Sequence, residues 1–449
     1  MNIDNLKRIY FVGIGGIGMS AIARYFKGLG AEVYGYDKTE TTLTKTLVEE
    51  GMQIHYNEDV MKIPQGVDLV IWTPAVPKEH AELQYFLNQG IPVKKRAEVL
   101  GIISQHRRCI AIGGTHGKTT TSSLLTHLLR TGGVDASAFL GGIAQNFQSN
   151  FVQGKSDWVV VEADEYDRSF LQLHPEVAAI MSMDPDHLDI YGDVDSIHDT
   201  GYLAFAKQVT GTLYVQHSWM QYFDSQVVRS FGVDGGDYCS ENLRVEDGHF
   251  VFDFKSPDFT IDNIRFPIPG RHNVENATAA IAIALQVGVT PESIREGLLS
   301  FKGIKRRFEF IIRTEKTVFI DDYGHHPTEL KAAIGAAKAL FPNRKVTGIF
   351  QPHLYSRTRD FVDGFAEALD GLDEILLMDI YPAREKPIDG VTSDIIFNKM
   401  NNPKKQLVTK SNLLEILKSY DIEVLMTIGA GDIDTMVEPI RKMLDARTT

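Results

Sequence analysis

The sequence predicts an α/β protein of three domains, each built on a mostly parallel, doubly wound sheet. Short apolar runs alternate with helical stretches along the chain, and glycine-rich turns join a strand to a helix at two places. The chain has 449 residues, which is too long for one ordinary domain. We expect the domains to cover residues 1–105, 106–302 and 303–449.

The first domain alternates strands with helices, which predicts a parallel sheet. Strands are expected at 8–12, 32–36, 69–72 and 92–93, and helices at 20–29 and 43–51. The run Gly13-Ile14-Gly15-Gly16-Ile17-Gly18 follows the first strand, and Asp37 ends the second. This pattern is typical of a turn that binds a pyrophosphate, with the acid on a ribose hydroxyl, although a tight turn also needs glycines. The block is short for a dinucleotide domain, so a single diphosphate nucleotide such as a UDP-sugar fits better.

The central domain opens with the strongest motif in the chain. An apolar strand runs into Gly113-Gly114-Thr115-His116-Gly117, and Lys118-Thr119-Thr120 then begins a helix. In such a P-loop the backbone N–H groups cradle polyphosphate, the lysine reaches the β- and γ-phosphates, and a threonine hydroxyl binds Mg²⁺. The loop is one residue shorter than the common pattern. The sequence therefore predicts a P-loop ATPase-like domain.

Acidic residues follow two further strands of this domain. Glu162, Asp164 and Glu165 come directly after the buried run 158–161, and His187 lies among Asp184, Asp186 and Asp189 after the run 177–181. Ligands of open α/β sheets bind at the carboxyl ends of the strands, and Mg²⁺ prefers oxygen ligands. We expect Glu162 to bind Mg²⁺ beside the phosphates and His187 to serve a second ion, the alternative being a polar surface loop.

The rest of the central domain changes character. The turn Asp247-Gly248, flanked by alternating apolar residues, predicts an antiparallel patch beside the parallel sheet. An alanine-rich helix is expected at 276–287, where Asn273 or Asn276 could serve as the N-cap.

The third domain repeats the α/β pattern. Strands are expected at 318–321, 346–350, 374–378 and 424–428. The segment 321–327 contains two acids and two histidines at the end of one strand, and 351–357 follows the next strand along the chain. We expect these two clusters to lie side by side at the carboxyl edge of the sheet. The basic run Lys305-Arg306-Arg307 stands at the domain boundary, where it could bind phosphate or form a solvated face.

Composition limits the possible functions. The net charge of −13 argues against a general nucleic-acid binder and against binding to an anionic membrane surface. There are two cysteines, Cys109 and Cys239, in no zinc or disulfide pattern, and we expect Cys109 to be a buried thiol. The N-terminus does not resemble a signal peptide, and no apolar run approaches 18 residues. A cytoplasmic protein without membrane insertion is expected, and its oligomeric state is left open.

Together, these motifs resemble the Mur ligases, ATP-dependent enzymes that build the peptide stem of peptidoglycan. The short loop 114–120 looks like their ATP signature. Within the family, segments 11–20, 321–327 and 380–385 are most similar to members that join L-alanine to UDP-N-acetylmuramate. The resemblance implies that reaction, in which ATP first converts the lactyl carboxylate to an acyl phosphate.

The resemblance also implies a role for each matching residue. For the UDP-sugar these are Gly13, Gly15, Gly16, Gly18, Met19 and Asp37. For ATP they are Gly114, Thr115, His116, Gly117, Lys118, Thr119, Thr120, Asn273, Asn276, Arg307 and Asp322. For L-alanine they are Tyr323 and His325, and for Mg²⁺ they are Thr119, Glu162 and His187; from the cluster 351–357 we also expect His353 and Arg357 to contact the amino acid. The residues expected to act in catalysis are Lys118, Glu162, His187, Arg307 and His325. Relatives often have asparagine where Ser182 stands, so the geometry of the second metal site is expected to differ from theirs.

Three other functions are consistent with parts of the sequence. A ligase that recycles the murein tripeptide would act on the same nucleotide but needs a roomier pocket around Tyr323 and His325. An NAD-dependent oxidoreductase would explain the first glycine motif and leave the P-loop unexplained. A non-catalytic nucleotide-binding regulator predicts loss of Lys118, Glu162 or His187, and all three are present.

Overall fold

The computed structural model describes residues 3–185, 191–224, 228–383 and 385–448. These residues form three sheets, of five, ten and six strands. The chain divides into two compact units. The first comprises Met1–Glu241, Asp253–Ile264 and Glu275–Phe301, and the second comprises Asn242–Phe252, Arg265–Val274 and Lys302–Thr449. The predicted α/β fold with three mostly parallel sheets is confirmed.

The first sheet has the order β3-β2-β1-β4-β5, and all its pairs are parallel. Its strands are β1 Arg8–Val12, β2 Glu32–Tyr36, β3 Gln53–His55, β4 Leu69–Trp72 and β5 Val93–Lys95. Its helices are α1 Ile17–Gly28, α2 Thr42–Glu49, α3 Ala81–Asn88 and α4 Arg96–Gln105. Parallel pairing requires a crossover after each strand, and these helices supply most of the crossovers.

The central sheet has the order β15-β14-β13-β12-β11-β10-β6-β9-β7-β8. Its strands are β6 Arg108–Gly113, β7 Ser137–Ala144, β8 Ser149–Val152, β9 Trp158–Ala163, β10 Val177–Ile180, β11 Thr212–Gln216, β12 Val228–Val233, β13 Tyr238–Glu246, β14 His249–Lys255 and β15 Thr260–Phe266. The associated helices are α5 Lys118–Thr131, α6 Val194–Ile197, α7 Leu203–Ala206, α8 Arg271–Val287 and α9 Pro291–Ser300, with a π-helical turn at His198–Tyr202. Strand β6, which leads into the P-loop, lies between β9 and β10, so the carboxyl ends of these three strands are neighbours.

The antiparallel patch is present, and one local prediction beside it is wrong. Asp247 and Gly248 both have positive φ, 48° and 72°, which suits the two-residue hairpin turn that joins β13 to β14. Helix α8 begins at Arg271, directly after Gly270 with φ of 104°, and not at residue 276. Asn273 and Asn276 therefore lie inside the helix, and neither is its N-cap.

Helix α1 belongs to two layers of the first unit. It crosses over from β1 to β2, and its ring of Tyr25 also packs on Phe139 of β7 and Phe151 of β8, with centroid distances of 5.5 and 6.0 Å. One continuous cluster of buried side chains contains residues of the first sheet, α1 and the central sheet. Asn150 of β8 is fully buried, and its amide nitrogen donates to the carbonyl oxygen of Ile17 and to Ser20 Oγ. The start of α1 is thus fixed by the central sheet.

The third sheet has the order β16-β17-β21-β18-β19-β20, with β16 antiparallel to β17 and the other pairs parallel. Its strands are β16 Glu309–Arg313, β17 Val318–Asp322, β18 Val346–Phe350, β19 Glu374–Met378, β20 Lys405–Val408 and β21 Val424–Ile428. Its helices are α10 Pro327–Leu340, α11 Tyr355–Asp360, α12 Val362–Leu369, α13 Asp394–Phe397, α14 Leu413–Leu417 and α15 Val437–Thr448. Strand β21 lies between β17 and β18, so the clusters 321–327 and 351–357 follow strands that are not adjacent in the sheet.

No helix within the described ranges is long and apolar enough to cross a membrane.

Candidate active site

The glycine-rich turn of the first sheet is held by Asp37. The carboxylate of Asp37 accepts a hydrogen bond from the backbone N–H of Gly15 at 2.7 Å. Gly13 has φ of 90°, and a Cβ there would lie 2.8 Å from Thr73 Cγ2, so this position requires glycine. The loop leads into α1, whose first N–H groups point out of the helix and suit an anion. The predicted contact of Asp37 with a ribose stays a prediction.

Met19 and Gly18 stand in the first turn of α1. The side chain of Met19 is 2% exposed and packs in the core, so only its backbone is available to a ligand. The guanidinium of Arg96 lies over Gly18, where a Cβ would be 2.9 Å from Nη1 of the arginine.

The P-loop has the geometry that its sequence predicts. Helix α5 begins at Lys118, and its N-cap Gly117 has φ of 83°, which favours glycine. Gly114 has φ of 128°, and a Cβ there would lie 2.7 Å from the backbone nitrogen of Ser182. A Cβ on Gly117 would overlap the carboxamide oxygen of Asn276, which places Asn276 against the loop.

Neighbouring segments fix the loop from outside. The backbone N–H of His116 donates to Ser182 Oγ at 2.8 Å, and the hydroxyl of Thr115 donates to the carbonyl oxygen of Asp184 at 2.8 Å. The hydroxyl of Ser182 therefore holds the backbone of the P-loop directly. Thr120 follows Thr119 in the first turn of α5.

Lys118 is buried and ion-paired. Its Nζ lies 3.0 and 2.8 Å from the two carboxylate oxygens of Glu165, and it also donates to the carbonyl oxygens of Gly114 and Thr115. Burial favours the neutral amine, but the carboxylates of Glu165, Asp164 and Glu162 outweigh it and raise the pKa of Lys118. The lysine is therefore charged at neutral pH.

Thr119 and Glu162, the two residues predicted to bind Mg²⁺ beside the phosphates, contact each other. Thr119 Oγ1 donates to Glu162 Oε1 at 3.0 Å, and Glu162 Oε2 accepts from the backbone N–H of Gly141 at 2.9 Å. A hydroxyl and a carboxylate beside a phosphate loop suit Mg²⁺. In the described ranges no three His, Cys, Asp or Glu side chains converge as a metal site. His187, with Asp186 and Asp189, lies outside the described residues.

The second unit brings together the basic run and the acids at the end of β17. Asp322 accepts from the backbone N–H groups of Phe308 and Gly324, at 2.8 and 2.7 Å. Burial raises the pKa of Asp322 to about 6, and the nearby Arg307 opposes that rise. Asp321 is also buried and is ion-paired with Arg306 at 3.3 Å. These acids hold the loop that carries Arg307.

Tyr323 and His325 form an aromatic wall next to this loop. The guanidinium carbons of Arg306 and Arg307 lie 5.2 and 5.1 Å from the centre of the Tyr323 ring, within the range of a cation–π interaction. The His325 ring meets Tyr323 edge-on at 5.3 Å. Burial lowers the pKa of His325, although Glu329 at 3.3 Å from Nδ1 opposes that effect.

His353 joins this wall across the intervening strand β21. Its ring lies 6.0 Å from that of His325 and stacks on Tyr381 at 5.9 Å. Arg357 lies in α11, close enough for its charge to lower the pKa of His325. The two clusters thus meet, although their strands are not adjacent. Elsewhere in this unit, Asn273 donates from Nδ2 to the carbonyl oxygen of Pro269 at 2.6 Å.

Sequence reasoning missed two acids that organise these sites. Glu165 pairs with Lys118, and Glu329 accepts from the backbone N–H of His325 while lying 3.7 Å from Nη1 of Arg307. Glu165 stands three residues after Glu162 in the same acidic run, so its position at the end of β9 could have predicted a contact with the P-loop lysine. Glu329 is an acid in the first turn of a helix, which is common in proteins, so nothing in the sequence predicts its contacts with His325 and Arg307.

Sequence comparisons identify the family. Residues 8–108 match the profile described as Mur ligase family, catalytic domain. Residues 112–284 match the Mur ligase middle domain, and residues 306–431 match the Mur ligase, glutamate ligase domain.

Full-length relatives agree with these matches. The chain is 48% identical to the UDP-N-acetylmuramate–L-alanine ligase of Flavobacterium johnsoniae over 451 residues, which covers 99% of each chain. It is 49% identical to the ligase of the same name from Flavobacterium psychrophilum over 453 residues, with full coverage of both chains.

Solved structures show the same architecture. The UDP-N-acetylmuramate–alanine ligase of Thermotoga maritima superposes with a TM-score of 0.86 at 27% identity, over 99% of this chain and 100% of that one. A murein peptide ligase from Psychrobacter arcticus shares the fold, with a TM-score of 0.70 at 23% identity over 98% of each chain. The chain therefore belongs to the Mur ligase family.

Proposed function

We propose that this protein joins L-alanine to UDP-N-acetylmuramate at the cost of ATP, in the synthesis of a peptidoglycan precursor. The observation that carries the proposal is the P-loop, in which Lys118 and Thr119 face the acids Glu165 and Glu162. The choice of substrates is supported by the relatives of that name, which match at 48 and 49% identity over nearly the whole chain. Since the reaction consumes ATP, we place it in the cytoplasm.

The chemistry requires activation, because a carboxylate is a poor electrophile. The γ-phosphoryl group of ATP moves to the lactyl carboxylate, which gives an acyl phosphate and ADP. The neutral amine of alanine then attacks the carbonyl carbon, and the tetrahedral intermediate expels inorganic phosphate to leave the amide. For such a reaction the protein mainly positions its substrates and neutralises charge.

Residues of the first unit supply the phosphate site. The ammonium group of Lys118 is charged and directed along the loop, where it can bind the β- and γ-phosphates. Thr119 and Glu162 are the residues that would hold Mg²⁺, which when bound neutralises phosphate charge. His187 is proposed for a second ion. The turn Gly13 to Gly18, with the backbone of Met19, is proposed to bind the diphosphate of the UDP-sugar.

Residues of the second unit supply the remaining roles. Arg307 is proposed to stabilise the transferring phosphoryl group. Asp322 would position Arg307, because its carboxylate accepts a hydrogen bond from the backbone N–H of Phe308, the residue after the arginine. Tyr323, His325, His353 and Arg357 are proposed to bind L-alanine. Burial lowers the pKa of His325 and so favours the neutral imidazole, which makes His325 a candidate for the group that takes a proton from the alanine ammonium group.

The proposal is tested by measuring phosphate release with UDP-N-acetylmuramate, ATP and a panel of amino acids and peptides. Alanine is expected to have the highest kcat/KM, serine a modest one, and glycine a loss of about 1 kcal/mol for its missing methyl contact. Preference for L-Ala-D-Glu-diaminopimelate over alanine would replace this proposal with the recycling ligase. A parallel titration with NADH is expected to show no saturable binding that UDP-N-acetylmuramate displaces.

A further inference from the structure

Arg96 lies between the glycine-rich turn of the first sheet and the acidic run that follows β9. It is the first residue of α4, and its guanidinium lies over the first turn of α1, where a Cβ on Gly18 would be 2.9 Å from Nη1 and 3.0 Å from Cδ. From the same guanidinium, Nη2 donates to Asp164 Oδ2 at 3.4 Å. One edge of the group therefore faces the glycine-rich turn, and the other faces the end of β9.

Asp164 stands within the acidic run that organises the P-loop. Two residues before it, Glu162 accepts from Thr119, and directly after it Glu165 is paired with Lys118. Asp164 itself is fixed by the backbone N–H of Tyr166, which donates to Oδ1 at 3.1 Å. A shift of Asp164 would therefore move the segment that positions both P-loop partners.

The contact between Arg96 and Asp164 is weak enough to change when a ligand binds. The side chain of Arg96 is 22% exposed and that of Asp164 is 38% exposed, and a contact of 3.4 Å is long for a charge-assisted hydrogen bond. A guanidinium has five donors in one plane, so it can bind a diphosphate at the turn with one edge and keep Asp164 with the other.

We propose that Arg96 couples the two phosphate sites, so that each nucleotide binds more tightly when the other is present. A diphosphate on the glycine-rich turn would hold the guanidinium in place, and the guanidinium would in turn hold Asp164 and the acidic run. The second nucleotide then finds that segment already ordered, which gives positive coupling. The inference rests on the proposed function, because it assumes a diphosphate at the first loop and ATP at the second.

The test measures binding by isothermal titration calorimetry, with UDP-N-acetylmuramate and the non-hydrolysable analogue AMP-PNP with Mg²⁺. In the wild type, each ligand is expected to lower the Kd of the other by the same factor, about fivefold or more. Arg96→Gln and Asp164→Asn are each expected to reduce that factor to below about twofold, and the double variant should add nothing further. Arg96→Lys should also lose the coupling, because an ammonium cannot donate from two edges of one plane.

The matched control is Lys95→Gln. Lys95 is ion-paired with Asp167 at 3.2 Å, so it links the same two segments one residue away, whereas the atoms nearest to a Cβ on Gly18 belong to Arg96. Its removal should leave the coupling factor unchanged. A contact that only stabilises the fold would lower the melting temperature in the Arg96 and Asp164 variants and leave the coupling intact.

The inference is wrong if the wild type shows no coupling or negative coupling. It is also wrong if coupling persists in Arg96→Gln or Asp164→Asn, if Arg96→Lys keeps full coupling, or if the control Lys95→Gln loses it. In each of these cases both ligands bind and the proposed function stands. Failure of the wild type to bind either ligand overturns the proposed function and the coupling with it.

Discussion

For Lys118 to bind ATP as proposed, its ion pair with Glu165 has to open. The three N–H donors of the ammonium group are taken by Glu165 and by the carbonyl oxygens of Gly114 and Thr115. A phosphate oxygen can bind Lys118 only by replacing one of these acceptors. The carboxylate is the acceptor that a triphosphate also repels, so Glu165 is the partner that should yield.

Glu165→Gln tests this reasoning, because glutamine keeps one acceptor and loses the charge. Hydrogen bonds to charged groups contribute about 1.5–3 kcal/mol, and loss of a partner from a buried pair costs about 3–5 kcal/mol. The side chains of Lys118 and Glu165 are 13% and 2% exposed, but Lys118 keeps its two carbonyl acceptors. Because Lys118 keeps these acceptors, the loss should be smaller than that of a fully unpaired buried charge. We therefore expect the free energy of unfolding to fall by about 2 kcal/mol, as for the loss of one charged hydrogen bond.

ATP affinity should change in the opposite direction. A weaker competitor for Lys118 should favour the nucleotide by about 1.4 kcal/mol, which is a tenfold decrease in Kd. The assays are denaturant unfolding and calorimetric titration with AMP-PNP. The control Asp167→Asn removes an equal charge at a nearby residue whose φ of 51° asparagine tolerates, and it should leave Kd unchanged. A Kd that is unchanged or raised in Glu165→Gln would refute the argument.

Three further predictions concern catalysis, pH and specificity. Lys118→Ala should lower turnover by about 10²–10³-fold and leave calorimetric binding of UDP-N-acetylmuramate unchanged; near-normal turnover would remove the loop from the mechanism. The pKa of Asp322 is raised from 3.8 to about 6, so this group contributes stability below pH ~4 that is lost as the pH rises through ~6. The free energy of unfolding of the wild type relative to Asp322→Asn should therefore fall by on the order of 3 kcal/mol across that window in denaturant titrations, and a flat difference would contradict the burial argument. Tyr323→Ala should raise kcat/KM for valine relative to alanine by about tenfold, because the pocket loses its aromatic wall. It should also lower the overall rate, because Arg307 loses the ring beside it, whereas Tyr323→Phe should keep the wild-type specificity and rate.

The sequence predicted the elements of the fold better than their arrangement. The P-loop was readable because glycines, lysine and threonine must follow a strand in that order, and Asp247-Gly248 because few residues accept positive φ twice in succession. The insertion of β21 between β17 and β18 was not readable, because the pairing of parallel strands is decided by contacts distant in sequence.

In the candidate site, too, local sequence patterns were predictable and contacts between residues distant in sequence were not. Glu162 was predicted because it directly follows a buried strand, and its contact with Thr119 supports the metal role proposed for it. The sequence left Asn273 and Asn276 as possible N-caps because an alanine-rich pattern does not show where a helix begins; the helix starts at Arg271, directly after Gly270 with its positive φ. The partners of a buried charge, such as Glu165 for Lys118, depend on geometry that a linear pattern does not contain.

The shared core around α1 has a consequence for how the protein folds. Helix α1 buries Tyr25 against Phe139 and Phe151, and Asn150 satisfies the carbonyl oxygen of Ile17. Separation of the first sheet from the central one would expose these rings to water and leave the amide of Asn150 without those partners. We therefore expect that the first 105 residues do not fold stably on their own. We expect the five-stranded sheet and the neighbouring strands β7 and β8 to unfold together, so that the glycine-rich turn at 13–18 and the central sheet lose their order in one transition.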